Sequence, residues 1–202
     1  INFYYVVLAI FAAGFLLIRL CTPDGRLLHT YKDGVARIDG FLDDYACLID
    51  GLTRLYEATG APHWIEGAVR LADVMIAEFR DADRGGFFYT GASHEVLLTR
   101  QKDLFDDATP SGNGMAATAL LRLAVLTGRE DFGRIGREAV EAAATVLESA
   151  PAAGGQTLMA LDFLLVPTRE LAVVAGDSRS DFDAALDAAY ARFQPQAVVA
   201  PA

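Results

Sequence analysis

Apolar residues recur every three or four positions over most of this 202-residue chain, which is the spacing of helices that bury one face. The clearest stripe stops at Thr59-Gly60 and consists of Phe41, Tyr45, Leu48, Ile49, Leu52, Leu55 and Tyr56. A second stripe follows Pro62, a favourable first helical residue, and consists of Trp64, Ala68, Leu71, Ala72, Met75 and Phe79. The pattern predicts two consecutive helices joined by a tight turn.

This helix pair is repeated 68 residues further along the chain. Leu52-x-Arg54-Leu55, Thr59-Gly60 and Trp64 recur as Leu120-x-Arg122-Leu123, Thr127-Gly128 and Phe132. We expect helices up to Thr127, over 130–149 and over 156–165, and we expect Arg54 and Arg122 to pair with acids at helix ends. Helix hairpins cannot bury their apolar faces alone, so repeated hairpins stack on one another. The predicted fold class is therefore mainly α.

Short strands are predicted outside the helices. The turn Thr22-Pro23-Asp24-Gly25 precedes a candidate strand over 26–32, and 87–98 reads as a small β-hairpin that packs on the helices. Near the end of the chain, candidate strands over 170–176 and 197–200 flank a helical stretch over 180–193. This order predicts a βαβ unit with parallel strands. Gly176 lacks the further glycines of a dinucleotide-binding loop, so we expect no cofactor.

The first twenty residues form the most apolar segment, broken only by Asn2, Gly14 and Arg19. Twenty helical residues span about 30 Å, the thickness of a bilayer's hydrocarbon core. We expect Ile1–Leu20 to be a single-pass membrane anchor, with the side of the membrane left open. A fully buried helix and a cytoplasmic soluble protein are the alternatives.

The net charge and the two cysteines bear on which ligands the chain can bind. The chain carries 27 acidic and 17 basic residues and has a formal charge of −10, which disfavours nucleic acid as a partner. Cys21 and Cys47 are 26 residues apart, and neither has a histidine at zinc-site spacing. We expect no metal site.

Five sequence motifs resemble the C-terminal region of the YyaL-type proteins, a thioredoxin-domain-containing family that includes spermatogenesis-associated protein 20. The motifs are Pro23-Asp24-Gly25-Arg26-Leu27-Leu28, Gly40-Phe41-Leu42-Asp43-Asp44-Tyr45-Ala46, Leu55-Tyr56-Glu57-Ala58-Thr59-Gly60, Gly85-Gly86-Phe87-Phe88 and Ala108-Thr109-Pro110-Ser111-Gly112-Asn113. The resemblance implies an (α/α) toroid similar to six-hairpin glycosidases and sugar epimerases. This chain has helices for only about half of such a toroid and lacks the thioredoxin part, so we expect either an excised portion or a shortened relative that acquired a membrane helix.

The resemblance also implies that ligands bind at one end of the toroid, where two groups of polar residues are candidates. Catalytic candidates are Asp43, Asp44, Asp106 and Asp107, and ligand-binding candidates are Asp39, Tyr45, Lys102, Asp103, Ser111 and Asn113. Paired carboxylates hydrolyse glycosidic bonds as acid and nucleophile or base. The alternative is structural, because acids favour helix N-termini and Ser or Asn caps them.

We predict an apolar helix over 1–21, a half-toroid of helix hairpins over 22–166 and a C-terminal βαβ appendage over 167–202. The expected function is non-catalytic: a membrane-tethered helical interaction module or accessory subunit, whose open edge a protein partner or a second copy covers. A carbohydrate-active toroid enzyme and the C-terminal part of a thioredoxin-like redox protein are the alternatives.

Overall fold

A computed structural model describes residues 3–95, 98–174 and 178–201. Within these ranges the chain is mainly helical, and its strands are short. The helices are α1 (Phe3–Arg19), α2 (Leu42–Thr59), α3 (Pro62–Phe79), α4 (Gly112–Thr127), α5 (Glu130–Ala142), α6 (Ala144–Ser149), α7 (Gly155–Leu165) and α8 (Arg179–Tyr190). The strands are β1 (Leu28–Lys32), β2 (Val35–Asp39), β3 (Arg169–Val173) and β4 (Ala197–Pro201), and a 3₁₀ turn covers Pro151–Ala153.

The two repeated hairpins are α2–α3 and α4–α5, as the 68-residue offset predicts. The first helix of each pair ends at a glycine with φ near +70°, Gly60 or Gly128. A residue with a Cβ atom rarely adopts this conformation, and the glycine N–H closes the last helical turn. The repeated Thr-Gly dipeptide therefore fixes the length of both helices and turns the chain back.

Helices α2, α4 and α7 form a central row, in which α4 packs against both of its neighbours. The first residues of α2 and α4 are adjacent, because the side chain of Leu42 lies 3.0 Å from the point where Gly112 would carry a Cβ atom. Near their other ends Glu57 contacts Arg122. The two helices therefore run parallel, with their N-termini side by side.

Helices α3 and α5 flank this row. Each packs mainly on its hairpin mate and also touches the next central helix, so that α3 meets α4 and α5 meets α7. Helix α1 contacts α2 and adds Ala13 and Leu20 to the same core. Large side chains that are fully buried in this core are Leu42, Ile49, Leu52, Met75, Phe79, Phe87, Leu120, Leu123 and Phe132.

Strands β1 and β2 pair in antiparallel orientation around a turn at Asp33-Gly34, so the predicted strand over 26–32 is one arm of a hairpin. Strands β3 and β4 pair in parallel, with α8 between them in the sequence. A second, small hydrophobic core packs β3, α8 and β4 together. It consists of Val173, Phe182, Leu186 and Val199. Val198 belongs to the main core instead, so β4 is continuous with the helical body.

Two predicted elements differ from the structure. The expected helix over 130–149 is interrupted at Ala143, which separates α5 from α6. The expected β-hairpin over 87–98 is absent from its described part, where Phe87 makes a single bridge with Arg80 and Leu98 lies in a bend. Val96 and Leu97 fall outside the described residues, as do the last two residues of the strand predicted over 170–176.

Helix α1 is a helix with two apolar faces. One face packs on the core, and the other exposes Tyr4, Leu8, Phe11, Phe15 and Ile18. Among the residues that the structure describes, no helix has the combined length and apolarity that a membrane crossing requires. The prediction of a single-pass anchor thus gains no support.

Candidate functional site

The predicted site residues converge on the adjacent N-termini of α2 and α4. Asp43, Asp44 and Tyr45 lie in the first turn of α2, while Ser111 and Asn113 begin α4. The remaining candidates lie on the segment that precedes α4 or, for Asp39, at the end of β2. Most of these residues lie at one end of the helical body, and the hydrogen bonds show what each side chain does there.

Asp44 and Tyr45 hold the β1–β2 hairpin against α2. The Asp44 carboxylate accepts a hydrogen bond of 2.8 Å from the Phe41 N–H and lies 2.8 Å from His29 Nδ1. The buried hydroxyl oxygen of Tyr45 accepts a 2.7 Å hydrogen bond from the Leu27 N–H. The polar atoms of both side chains therefore already have hydrogen-bond partners in the backbone or in the β1–β2 hairpin.

Asp103, Asp106 and Ser111 cap helix N-termini. Asp103 Oδ2 accepts a 2.8 Å hydrogen bond from the Gly112 N–H, and Ser111 Oγ accepts one from the Gly114 N–H. Asp106 bridges two segments, because one oxygen accepts from the Ser111 N–H and the other from the Gln156 N–H, each at 2.8 Å. Carboxylates in such positions gain from the helix dipole as well as from the hydrogen bonds.

Asn113 is almost fully buried and binds the chain that follows α3. Its Oδ1 accepts a 2.7 Å hydrogen bond from the Phe87 N–H, while its Nδ2 donates to the carbonyl oxygens of Phe87 and Asp103. In the described part of the predicted β-hairpin, Asn113 therefore forms hydrogen bonds with both backbone groups of Phe87. A long-range contact of this kind leaves no periodic signal in the sequence.

Lys102 forms a second anchor in the same segment. Its Nζ atom lies 2.8 Å from Asp81 Oδ2 and donates to the Gly85 carbonyl oxygen. Asp81 also accepts hydrogen bonds from two backbone N–H groups, and the Lys102 ammonium lowers the pKa of this carboxyl. Lys102 therefore stabilises the turn after α3.

Asp43 differs from the other acids. Its carboxylate accepts a hydrogen bond from the next residue's N–H and faces a groove of about 480 Å³ between α1, α2 and residues 109–110. Partial burial and the nearby negative charge of Asp44 raise the pKa of this carboxyl above its ordinary value. Asp43 is thus the candidate whose environment is closest to that of a general acid.

The last two candidates lie apart from this groove. Asp107 is exposed, and its backbone N–H donates to the Thr109 carbonyl oxygen. Asp39 is half-buried beside a smaller cavity of about 250 Å³, which Phe41 and His94 also line. The ten predicted residues therefore surround no single enclosed cavity.

An aromatic cluster beside these acids was not predicted. The rings of Phe41 and Tyr89 are stacked with centroids 5.0 Å apart, and His29 and His94 approach Phe41 edge-on. Burial and the surrounding carboxylates raise the pKa of Tyr89. Tyr89 and His94 are close in sequence, but Phe41 and His29 come from a distant segment of the chain, so no local pattern reports this cluster.

The cysteines and acids form no redox or metal arrangement in the described ranges. Both thiols are free, and burial raises the pKa of each, which favours the protonated and less reactive form. No group of three or more His, Cys, Asp and Glu side chains is placed there to hold a metal ion.

The chain is similar over part of its length to known proteins. No family model matches it. Spermatogenesis-associated protein 20 of Rattus norvegicus is 45% identical over 94 residues, and that of Homo sapiens is 44% identical over the same length. These matches cover 46% of this chain and only 12% of each relative. An uncharacterized protein of Caenorhabditis elegans is 27% identical over 150 residues, which are 74% of this chain and 20% of that protein.

The chain therefore spans a small part of the length of these relatives, and the mammalian matches agree with the motifs noted in its sequence. These matches support the assignment of the chain to the YyaL-type family of spermatogenesis-associated protein 20.

Proposed function

We propose that the chain is a non-catalytic helical interaction module, a partial toroid of stacked hairpins that binds a protein partner through its open edge. The observation that carries the proposal is the exposed apolar face of α1. Five large side chains on this face are between 45% and 76% exposed. Contiguous apolar surface of this kind marks interaction sites in folded proteins.

The environment of the candidate acids supports the absence of catalysis. Asp44, Asp103 and Asp106 each accept backbone hydrogen bonds that hold helix starts in place. A carboxylate used in this way has few free lone pairs for a substrate. These acids suit a structural role better than proton transfer.

A carbohydrate-active enzyme is the second candidate, and one observation favours it. Asp43 has a raised pKa, and the stacked rings of Phe41 and Tyr89 lie in the same region. Sugars bind to aromatic faces, and glycosidases require a carboxylic acid that is protonated near neutral pH. In this alternative Asp43 is the general acid.

A sugar panel and a cross-linking experiment separate the two functions. We expect no change in the thermal unfolding of the chain with a broad panel of mono- and oligosaccharides. We expect a photo-reactive phenylalanine analogue at position 11 to cross-link the chain to protein in cells, well above the same analogue at exposed position 193. Sugar binding or turnover that is lost in Asp43→Asn, together with equal cross-linking from both positions, would establish the enzyme instead.

A further inference from the structure

We propose that a cavity between α2, α4, α7 and the segment after α8 binds a small carboxylic acid with an apolar body, whose carboxylate is held by Arg54 and Arg122. No residue of α1 lines this cavity in the described chain. The proposal therefore goes beyond the interaction function and is tested separately from it.

The lining of the cavity is divided by structural element. Its volume is about 360 Å³, which falls in the range of roughly 300–1,000 Å³ that small-molecule sites have. Arg54, Thr118 and Arg122 bring polar groups from α2 and α4. The side chains from α7 and from the segment after α8 are mostly apolar, namely Leu158, Met159, Phe163, Phe193 and Pro195. A ligand that fills the cavity therefore needs a polar end and an apolar body.

Arg122 has a buried N–H group without an acceptor. Its side chain is 3% exposed, and its Nη2 atom donates to Glu57 Oε1 and to the Ala197 carbonyl oxygen. Its Nε atom is buried and has no hydrogen-bond partner in the described chain. Folded proteins leave few buried donors unpaired, because each unmade hydrogen bond costs free energy. A ligand oxygen in the cavity would supply the acceptor that Nε lacks.

Arg54 lines the same cavity and is only loosely paired. Its side chain is 48% exposed, and its nearest carboxylate oxygens are Asp50 Oδ1 at 3.5 Å and Glu57 Oε2 at 3.6 Å. Both distances exceed the roughly 2.7–2.9 Å of a charge-assisted hydrogen bond. The guanidinium group carries five N–H donors in one plane, a geometry that suits the two oxygens of a carboxylate. Arg54 is therefore suited to bind an anion from the open side of the cavity.

The two arginines are close enough to affect each other's charge. Burial lowers the pKa of Arg122, and the positive charge of Arg54 lowers it further, against the opposite effect of the Glu57 carboxylate. The positive charges therefore repel each other across a partly dry site, where such interactions are stronger than in water. A ligand carboxylate beside both guanidinium groups would offset this repulsion.

The surrounding acids favour a singly charged ligand over a phosphate. Asp50 and Glu57 lie beside Arg54, and Asp162 lines the cavity, where it accepts a hydrogen bond from Gln196 Nε2. These three carboxylates repel a doubly charged phosphate more strongly than a carboxylate. The site therefore matches a monocarboxylic acid.

The apolar lining gives the body of the ligand its place. Phe163 is 9% exposed, and its ring centroid lies 5.7 Å from Arg122 Cζ, so it joins the charged and apolar parts of the cavity. Met159 and Phe193 are 57% and 93% exposed. An alkyl or aryl chain that covers these two side chains removes apolar surface from water, which contributes to binding in proportion to the area buried.

Isothermal titration calorimetry with three probes tests both halves of the ligand. The probes are decanoate below its micelle threshold, decanol, which has the same chain without the charge, and acetate, which has the charge without the chain. We expect decanoate to bind once per chain. Decanol and acetate should each bind at least about tenfold more weakly, since each lacks one of the two contributions.

Two variants remove one half of the site each. Arg54→Gln removes the accessible positive charge, and Met159→Glu places a negative charge among the apolar side chains; both positions are about half exposed, so the fold should persist. Each should weaken decanoate binding at least about tenfold. Far-UV circular dichroism and thermal unfolding check the folding of both variants, and either variant alone suffices for the test.

The matched controls are Arg134→Gln, the same substitution at a 56% exposed arginine on α5, and Phe11→Asp on the exposed face of α1. Both should bind decanoate as the parent does. Loss of binding in Phe11→Asp with full binding in Arg54→Gln would show that the acid adsorbs to α1, and the proposal would be wrong.

Three further results would overturn the carboxylate site. They are no binding of decanoate, equal affinities for decanoate and decanol, and equal weakening by Arg54→Gln and Arg134→Gln. None of these results bears on the interaction function, because that function depends on cross-linking from position 11. Conversely, failure of that cross-linking would leave the carboxylate site in place.

Discussion

Arg122 Nη2 lies 2.7 Å from Glu57 Oε1 in the interior of the protein, where the two side chains are 3% and 1% exposed. The same glutamate oxygen accepts a 3.0 Å hydrogen bond from the Val199 N–H, and Arg122 also donates to the Ala197 carbonyl oxygen. The pair therefore joins α2, α4 and β4. It satisfies backbone groups of β4 that helix packing alone would leave without partners.

Removing the arginine leaves a buried carboxylate without its counter-charge. We expect Arg122→Met to lower the free energy of unfolding by about 3–5 kcal/mol in urea denaturation. Arg54→Met is the matched control, since Arg54 holds the equivalent repeat position but is 48% exposed and lies 3.6 Å from Glu57; it should cost at most about 1 kcal/mol. Equal losses in the two variants would contradict the role given to the buried pair.

Alanine substitutions at two glycines with the same φ angle distinguish the cost of backbone strain from the cost of a steric clash. Gly86 and Gly128 both have φ of +69°, but a Cβ atom on Gly86 would lie 2.9 Å from Asn113 Oδ1, whereas that on Gly128 meets nothing within 4 Å. We expect Gly128→Ala to cost about 1–2 kcal/mol, the left-handed penalty alone. Gly86→Ala should cost clearly more, because it also disturbs the Asn113 hydrogen bonds. Thermal unfolding of both variants decides this, and a smaller loss for Gly86→Ala would argue against it.

Substitution of Asp106, a predicted catalytic acid, tests whether its role is structural. Asp106→Ala removes two charge-assisted hydrogen bonds to backbone N–H groups and should lower the free energy of unfolding by about 2–4 kcal/mol. The neighbouring variant Asp107→Ala alters an exposed side chain and should stay within about 0.5 kcal/mol of the parent. If both variants kept full stability, the capping role of Asp106 would be wrong.

Asp43 and Asp81 should have opposite effects on the pH dependence of stability. The folded state raises the pKa of Asp43, so its contribution is present at low pH and is lost as the pH rises through the folded pKa. Asp43→Asn should therefore unfold at a higher temperature than the parent at pH 7. This advantage should fade at pH values below the ordinary Asp pKa of about 3.9.

The pKa of Asp81 is lowered by Lys102, so its contribution is present at neutral pH and is lost as the pH falls through the folded pKa. Asp81→Asn should accordingly be less stable than the parent at pH 7, by about 1–3 kcal/mol, and equal to it in strong acid. Thermal unfolding between pH 2 and pH 8 records both trends. Parallel curves for either variant and the parent would refute its assigned shift.

The sequence predicted the helix hairpins because their determinants are local. Apolar residues at three–four spacing and the glycines at Gly60 and Gly128 define α2 and α4 without reference to the rest of the fold. The β-hairpin predicted over 87–98 is absent from the described residues of that segment for the opposite reason. Phe87 takes its hydrogen bonds from Asn113, 26 residues away, and no local pattern reports such a contact.

Prediction of the site was limited in a different way. Asp44, Asp103 and Asp106, which the sequence offered as candidates, accept hydrogen bonds from backbone N–H groups at helix starts. Acids at helix starts serve either as caps or as catalysts, and residue type does not distinguish the two. The partners that do distinguish them, such as the Gln156 N–H, lie up to 50 residues away.

The Glu57–Val199 hydrogen bond also has a consequence for the order of folding. It connects residues 142 positions apart, whereas each helix hairpin closes over a turn of two residues. Closing the longer loop costs more chain entropy, so we expect α2–α3 and α4–α5 to form before β4 docks. In that order of events Glu57 would stay hydrated until β4 docks.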